Sequence, residues 1–150
     1  QTEQLSSSLA LMMTGLLAAG ISFNAVIGLF IGRAWQAQLY NPGAFGSEFR
    51  ALRLGKPVAL FTALLMGLSL SPIAESLQWL VDCLPVMLVA FGIQGLAVVH
   101  AVIHQGQKSK GWLVAMYILL VVMLPQMLMM LATLGVLDQW FNFRKRSAVE

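Results

Sequence analysis

The sequence predicts an all-α fold: a polytopic transmembrane helix bundle of about four spans, with one short interfacial helix. Two observations carry this. The chain is 59% hydrophobic and only 10% charged, against about 25% charged residues in soluble domains, and a core of this size cannot hide so much apolar surface from water. Four long apolar stretches also stand apart, with basic and aromatic residues gathered beside them, the order expected where a helix reaches the lipid–water interface.

The first stretch covers residues 9–35. Ser6, Ser7 and Ser8 offer an N-cap, and Arg33 and Trp35 mark the far interface. A polar linker follows, where Asn41, Pro42 and Gly43 signal a turn. Beyond it Phe45, Phe49 and Leu52 recur at helical spacing, with Glu48, Arg50 and Arg53 on other faces. That pattern predicts an amphipathic helix on the membrane surface.

The second stretch, residues 54–70, is short for a bilayer and is the candidate for a re-entrant segment. Ser71 and Pro72 then read as an N-cap and first helical residue. The third stretch, residues 72–104, is longer than a span needs. Its early turns hold Glu75, Gln78 and Asp82, which places them at the interface, and Pro85 predicts a kink. The fourth stretch covers residues 112–137, with Pro125 near its middle.

The formal charge is +3, and the cations form clusters: Arg33; Arg50, Arg53 and Lys56; Lys108 and Lys110; Arg144, Lys145 and Arg146. Their place beside apolar runs points to lipid headgroups or topology determinants, and away from nucleic acid. Four spans put the linker and the turn carrying Lys108 on one side, assigned to the cytoplasm. The basic tail then falls on the opposite side, against the rule. The chain opens on Gln1 with no basic region or cleavage pattern before the first apolar run. That run therefore reads as a span, and the chain as the C-terminal part of a longer membrane protein.

Small residues recur every four positions on two helices. Gly20, Asn24, Gly28 and Gly32 do so on the first, and Ala59, Ala63, Gly67 and Ser71 on the second. Lipid supplies no hydrophobic drive for helix association, so these ridges are expected to pack by close backbone approach, within the chain or on a partner. Gly92, Gly95, Ala97 and Ala101 give thin spots on the third helix. Ala132, Gly135 and Asp138 on the fourth predict tight packing with Asp138 facing protein.

Asn24, Gln94 and Gln126 lie within apolar runs. An unpaired amide in hydrocarbon costs about 2–7 kcal/mol, so each is expected to meet another helix or a substrate. Asp138 lies near a helix C-terminus, where the dipole disfavours an anion, and Arg144 is its expected partner. His100 and His104 share a helix face, but nearby residues complete no metal shell. The methionines at 116, 123, 127 and 130 read as adaptable packing or a lipid-facing surface. The single cysteine, Cys83, forms no internal disulfide. With no nucleophile elbow, phosphate loop or zinc-protease motif, no enzymatic activity and no cofactor are expected.

Three segments carry a family resemblance: Asn41, Pro42 and Gly43 followed by Phe49, Leu52 and Arg53; Gln94, Gly95 and Leu96; and Gly135, Asp138, Trp140, Phe141, Phe143 and Arg144. In their order and spacing the chain resembles the YybS-like family of uncharacterised bacterial polytopic membrane proteins. The resemblance implies a multi-pass protein of the bacterial inner membrane, with further helices upstream and an architecture distantly similar to the substrate-binding subunits of energy-coupling-factor transporters. Two functions follow as expectations: a small-molecule binding or transport subunit of unknown ligand, or a structural or assembly protein of the cell envelope. The lipid bilayer is the expected partner, with a membrane protein or a second copy of the chain as a further one.

Overall fold

A computed structural model describes residues 2–146 of the chain. Every regular element among them is helical. Helix α1 (Thr2–Tyr40) runs through Ser6, Ser7 and Ser8, so these serines lie inside the helix instead of capping it. At 39 residues and a rise of 1.5 Å, it is about 58 Å long. Helix α2 (Ala44–Ala51) is the short amphipathic segment, and α3 (Lys56–Ser69) follows after a break. The third apolar stretch opens with a 3-10 turn (Glu75–Leu77) and a short α4 (Gln78–Val81), then becomes α5 (Leu84–Gln105). Ser71 does not cap forward; its hydroxyl donates back to Leu68 O at 2.6 Å.

The fourth stretch is two helices, α6 (Gly111–Val122) and α7 (Leu124–Phe141), separated at Met123 with φ −124° and ψ 50°. Pro125 stands in the first turn of α7, as Pro57 and Pro85 do in α3 and α5. The reason is common to all three. Proline lacks the N–H that an interior position would use, whereas the first turn leaves that position unpaired anyway. The kink expected at Pro85 thus becomes a helix start. A last short helix, α8 (Phe143–Arg146), follows Asn142, which takes the left-handed conformation (φ 46°, ψ 53°). The side chains of Lys145 and Arg146 in the basic tail lie outside the described residues.

By length and apolar composition two segments can cross a bilayer, Met13–Tyr40 and Glu75–Gln105. A third joins them if α2 and α3, bent by 49° at their break, form one span. The fold is a helical membrane bundle, with its fourth apolar stretch divided by Pro125 into shorter helices.

Helices α5 and α7 form the centre. They run parallel: Gly92 faces Leu128, Gly95 faces Leu131, and Gln94 reaches Gly135 and Gln139. A Cβ on Gly95 would overlap the Leu131 carbonyl, and one on Gly135 would overlap that of Phe91. Only glycine permits this approach. Ala59 of α3 joins Phe91 and Ala132 in the buried core, flanked by Leu54, Val58, Leu88 and Val136.

The expected pairing of glycine ridges is not the one used within the chain. Gly20, Gly28, Gly32 and Gly67 each have open space where a Cβ would stand, and Ala63 is exposed. Helix α1 buries a different face, through Gly15, Ala19 and Ala37. A Cβ on Gly15 would lie 2.9 Å from Asp82 O and 3.1 Å from Pro85 Cγ, where α1 meets the start of α5. Helix α3 buries Ala59, Thr62 and Leu65, a face that keeps only Ala59 of its expected ridge. A small-residue repeat marks a thin face, but complementary relief on the neighbour decides which face is used.

Candidate functional site

The interruption between α2 and α3 is where the chain gathers its buried polar groups. Residues 52–55 leave the helical path, with Gly55 at φ 95° and ψ 157°, a backbone that L side chains rarely adopt. The freed backbone groups must find partners, because an unsatisfied N–H or C=O in an apolar setting is costly.

Gln94 supplies one. It lies midway along α5 and is 0% exposed. Its Oε1 accepts from Leu54 N–H at 2.9 Å and from Gln139 Nε2 at 2.9 Å. Its own Nε2 donates to Gly135 O at 2.7 Å. One amide therefore ties α5 to the break and to α7. Of the three intramembrane amides expected from the sequence, Gln94 alone is buried. Asn24 is exposed and donates to Gly20 O of its own helix at 2.9 Å, and Gln126 is exposed in the first turn of α7. Local bonding of this kind satisfies an amide without any second helix.

Arg144 supplies the next partners. Its Nη1 donates to Arg50 O and its Nη2 to Leu52 O, each at 2.6 Å, closing the C-terminal end of α2. The left-handed turn at Asn142 and the stacked Phe141 and Phe143 rings, 5.8 Å apart, bring it there. Arg144 Nη2 also lies 3.3 Å from Asp138 Oδ2. The Asp138 side chain is 0% exposed and that of Arg144 is 13% exposed. Burial pushes the Arg144 guanidinium below its ordinary value; the Asp138 carboxylate opposes that fall, and Arg53 adds to it.

Arg53, inside the break, completes the cluster. Its Nη2 donates to the backbone carbonyl of Asp138 at 2.7 Å, and its Nε lies 3.6 Å from Asp138 Oδ2. Among the described residues neither Asp138 oxygen has a hydrogen bond of good geometry, and the buried Nε of Arg144 has none.

Sequence reasoning had paired Asp138 with Arg144 and placed Asp138 towards protein, but missed three participants. Gln139 lies four residues beyond Gly135 on the same packed face of α7. Leu54 N–H and Arg53 belong to the break, whose written trace is Gly55, Lys56 and Pro57 after a short amphipathic helix. A glycine and a proline so close together mark an interrupted helix.

An aromatic chain closes the same end of the bundle. Phe30 of α1 meets Phe45 and Phe49 of α2, with ring centres 5.8 Å and 5.6 Å away. Phe49 meets His100 at 5.4 Å. His100 Nδ1 is 2.9 Å from Leu96 O, and its Nε2 is 3.2 Å from the Tyr117 hydroxyl. Both ring nitrogens are thus engaged within the protein, while His104 is exposed. Among the described residues no three His, Cys, Asp or Glu side chains converge as a metal shell. Arg33 Nε donates to Glu48 Oε2 at 2.8 Å, fixing α2 to α1.

These features define a helical membrane protein with an interrupted helix closed by buried charged and amide side chains. The chain belongs to the family described as predicted membrane protein (DUF2232), whose model matches residues 1–139. No curated protein and no solved structure matches it.

Proposed function

We propose that the chain is a membrane-embedded binding or transport subunit for a small molecule, multi-pass in the bacterial inner membrane. The observation that carries this reading is the helix interruption at residues 52–55, held against the middle of α5 with Arg53 beside a fully buried Asp138. Non-helical backbone at such depth is tolerated where protein or a water-filled cavity surrounds it. Discontinuous helices of this kind form the substrate sites of many transporters, and ionisable residues within a bundle commonly mark a pathway. The likeness to energy-coupling-factor substrate-binding subunits goes with this reading as an analogy of architecture.

A second reading, a structural or assembly protein of the envelope, is favoured by one observation. Helix α1 leaves its Gly20, Gly28 and Gly32 face open, as a partner helix would require. One experiment separates the two. The purified protein is melted against a panel of vitamins and small metabolites, and Arg53→Gln is melted beside it. A compound that raises the melting temperature of the wild type and not of the variant supports the binding subunit. Stabilisation by no compound, with reproducible co-purification of one membrane protein, supports assembly.

A further inference from the structure

The cluster holds one more cation than anion, and the surplus cation is its exposed member, Arg53. Two guanidinium groups, from Arg53 and Arg144, face one carboxylate, that of Asp138. The other described carboxylates are elsewhere. Glu48 is paired with Arg33, and Glu75 and Asp82 lie before α5, towards its opposite end. Asp138 and Arg144 balance each other in the buried part, which leaves Arg53, on the open side, as the cation without a carboxylate of its own.

The hydrogen bonding within the cluster is loose on both sides, since neither Asp138 oxygen is bonded among the described residues. Charge-assisted bonds between guanidinium and carboxylate run at about 2.7–2.9 Å. Here the nearest approaches to Asp138 Oδ2 are 3.3 Å and 3.6 Å. The shortest bonds of both arginines go to neutral backbone carbonyls, those of Arg50, Leu52 and Asp138. Arg144 Nε is buried and has no acceptor among the described residues. Arg53, whose side chain is 38% exposed, gives the cluster its open side.

We propose that Arg53 and Arg144 hold a small oxyanion, a carboxylate or phosphate group, beside Asp138 at the α2–α3 interruption. The planar guanidinium suits this task, because its fork of donors matches two oxygens of either group. Arg53 is the accessible contact, and Arg144 supplies the fixed charge behind it. The proposal deepens the binding reading above and rests on it: it names the class of ligand as anionic. The same chemistry can come from a free metabolite or from the headgroup phosphate of an anionic lipid.

The test uses the full chain in nanodiscs of phosphatidylcholine alone, in chloride buffer of constant ionic strength. Millimolar inorganic phosphate is expected to raise the melting temperature by about 3 °C or more, and Arg53→Gln is expected to abolish the rise. In a second arm, nanodiscs containing phosphatidylglycerol replace the added phosphate. An Arg53-dependent rise in that arm alone identifies a lipid headgroup as the source; a rise with phosphate in the neutral nanodisc identifies a free anion. No rise in either arm, or a rise that Arg53→Gln retains, overturns the oxyanion. Arg53→Gln is the informative variant because Arg144 also closes α2, so its loss disturbs the fold directly. Should neutral metabolites stabilise the wild type while phosphate and phosphatidylglycerol do not, the oxyanion falls and the binding subunit stands.

Discussion

Asp138 and Arg144 stand 3.3 Å apart, yet the arginine makes its shortest bonds, both of 2.6 Å, to the carbonyls of Arg50 and Leu52. It is therefore counter-charge and helix closure at once, and the two roles separate by mutation. Asp138→Asn should destabilise by about 3 kcal/mol, because it strands the largely buried Arg144 guanidinium without its carboxylate. Arg144→Gln should cost at least as much. In a double-mutant cycle the pair should couple by about 1–3 kcal/mol. Arg144→Gln should nonetheless remain destabilising in the Asp138→Asn background, because the α2 carbonyls still lose their donors. Denaturation in mild detergent measures all four proteins; a cycle with no coupling would leave Arg53 as the sole partner of Asp138.

Glycine tolerance should follow the observed packing and ignore the repeat. Gly95→Ala and Gly135→Ala each drive a methyl group into a backbone carbonyl of the facing helix, and overpacking of this kind costs about 1–3 kcal/mol or more. Gly20→Ala and Gly28→Ala place the same methyl group in open space and should be neutral or slightly stabilising, since alanine favours a helix over glycine by about 1 kcal/mol. Thermal melts of the four variants test this ordering. Loss of stability at Gly28 alone would point to a partner seated on α1.

The contrast between these glycines shows what was legible in the sequence. Hydropathy and interface residues sufficed for an all-helical membrane fold, because lipid admits few other structures. The spacing of Ala132, Gly135 and Asp138 disclosed the packed face of α7, since two small residues in register with an acid have little reason to face lipid. Gly20, Gly28 and Gly32 were equally regular and face no partner helix in the chain, because a thin face is only half of a contact. The network of Gln94 with Leu54 N–H and Gln139 was not legible. It joins residues 40 and 45 positions apart, and no local period encodes such a pairing. Pro85 reads as a kink in the sequence and is a helix start in the fold, as proline's missing donor permits either.

Gln94 should be the least replaceable amide. Gln94→Leu keeps the volume near but removes partners from Leu54 N–H, Gly135 O and Gln139 Nε2 together. Each buried group left unpaired costs about 1–3 kcal/mol, so the change should prevent stable purification or lower the melting temperature sharply. Asn24→Leu should have little effect, because that amide is exposed and bonded only to its own helix. Hydrogen exchange offers a finer measure: a weakened Gln94 variant that still folds should lose protection first at residues 52–55. Equal protection there would mean that another group holds the break.

The basic tail should lie on the same side of the membrane as the linker and the turn carrying Lys108. Four straight spans would send it to the other side, but α7 runs parallel to α5, and Tyr117 of α6 already meets His100 near the end of α5. The chain thus leaves the C-terminal end of α5, turns at Met123, and returns along α5 as α7. Arg144 arrives beside Arg50 and Leu52, in the segment whose Phe49 packs on His100. The cations of the linker and the turn then share one end of the bundle with Arg144, as the distribution of positive charge in membrane proteins favours. Cysteines introduced at Ser47 and Ser109, and a reporter fused after the tail, should all be reached from the cytoplasmic side, while a cysteine at Ser76 should be reached from the other. Labelling of the tail opposite Ser109 would require α6 and α7 to cross as one straight span. That arrangement would pull Arg144 away from α2 and leave the carbonyls of Arg50 and Leu52 without their donors.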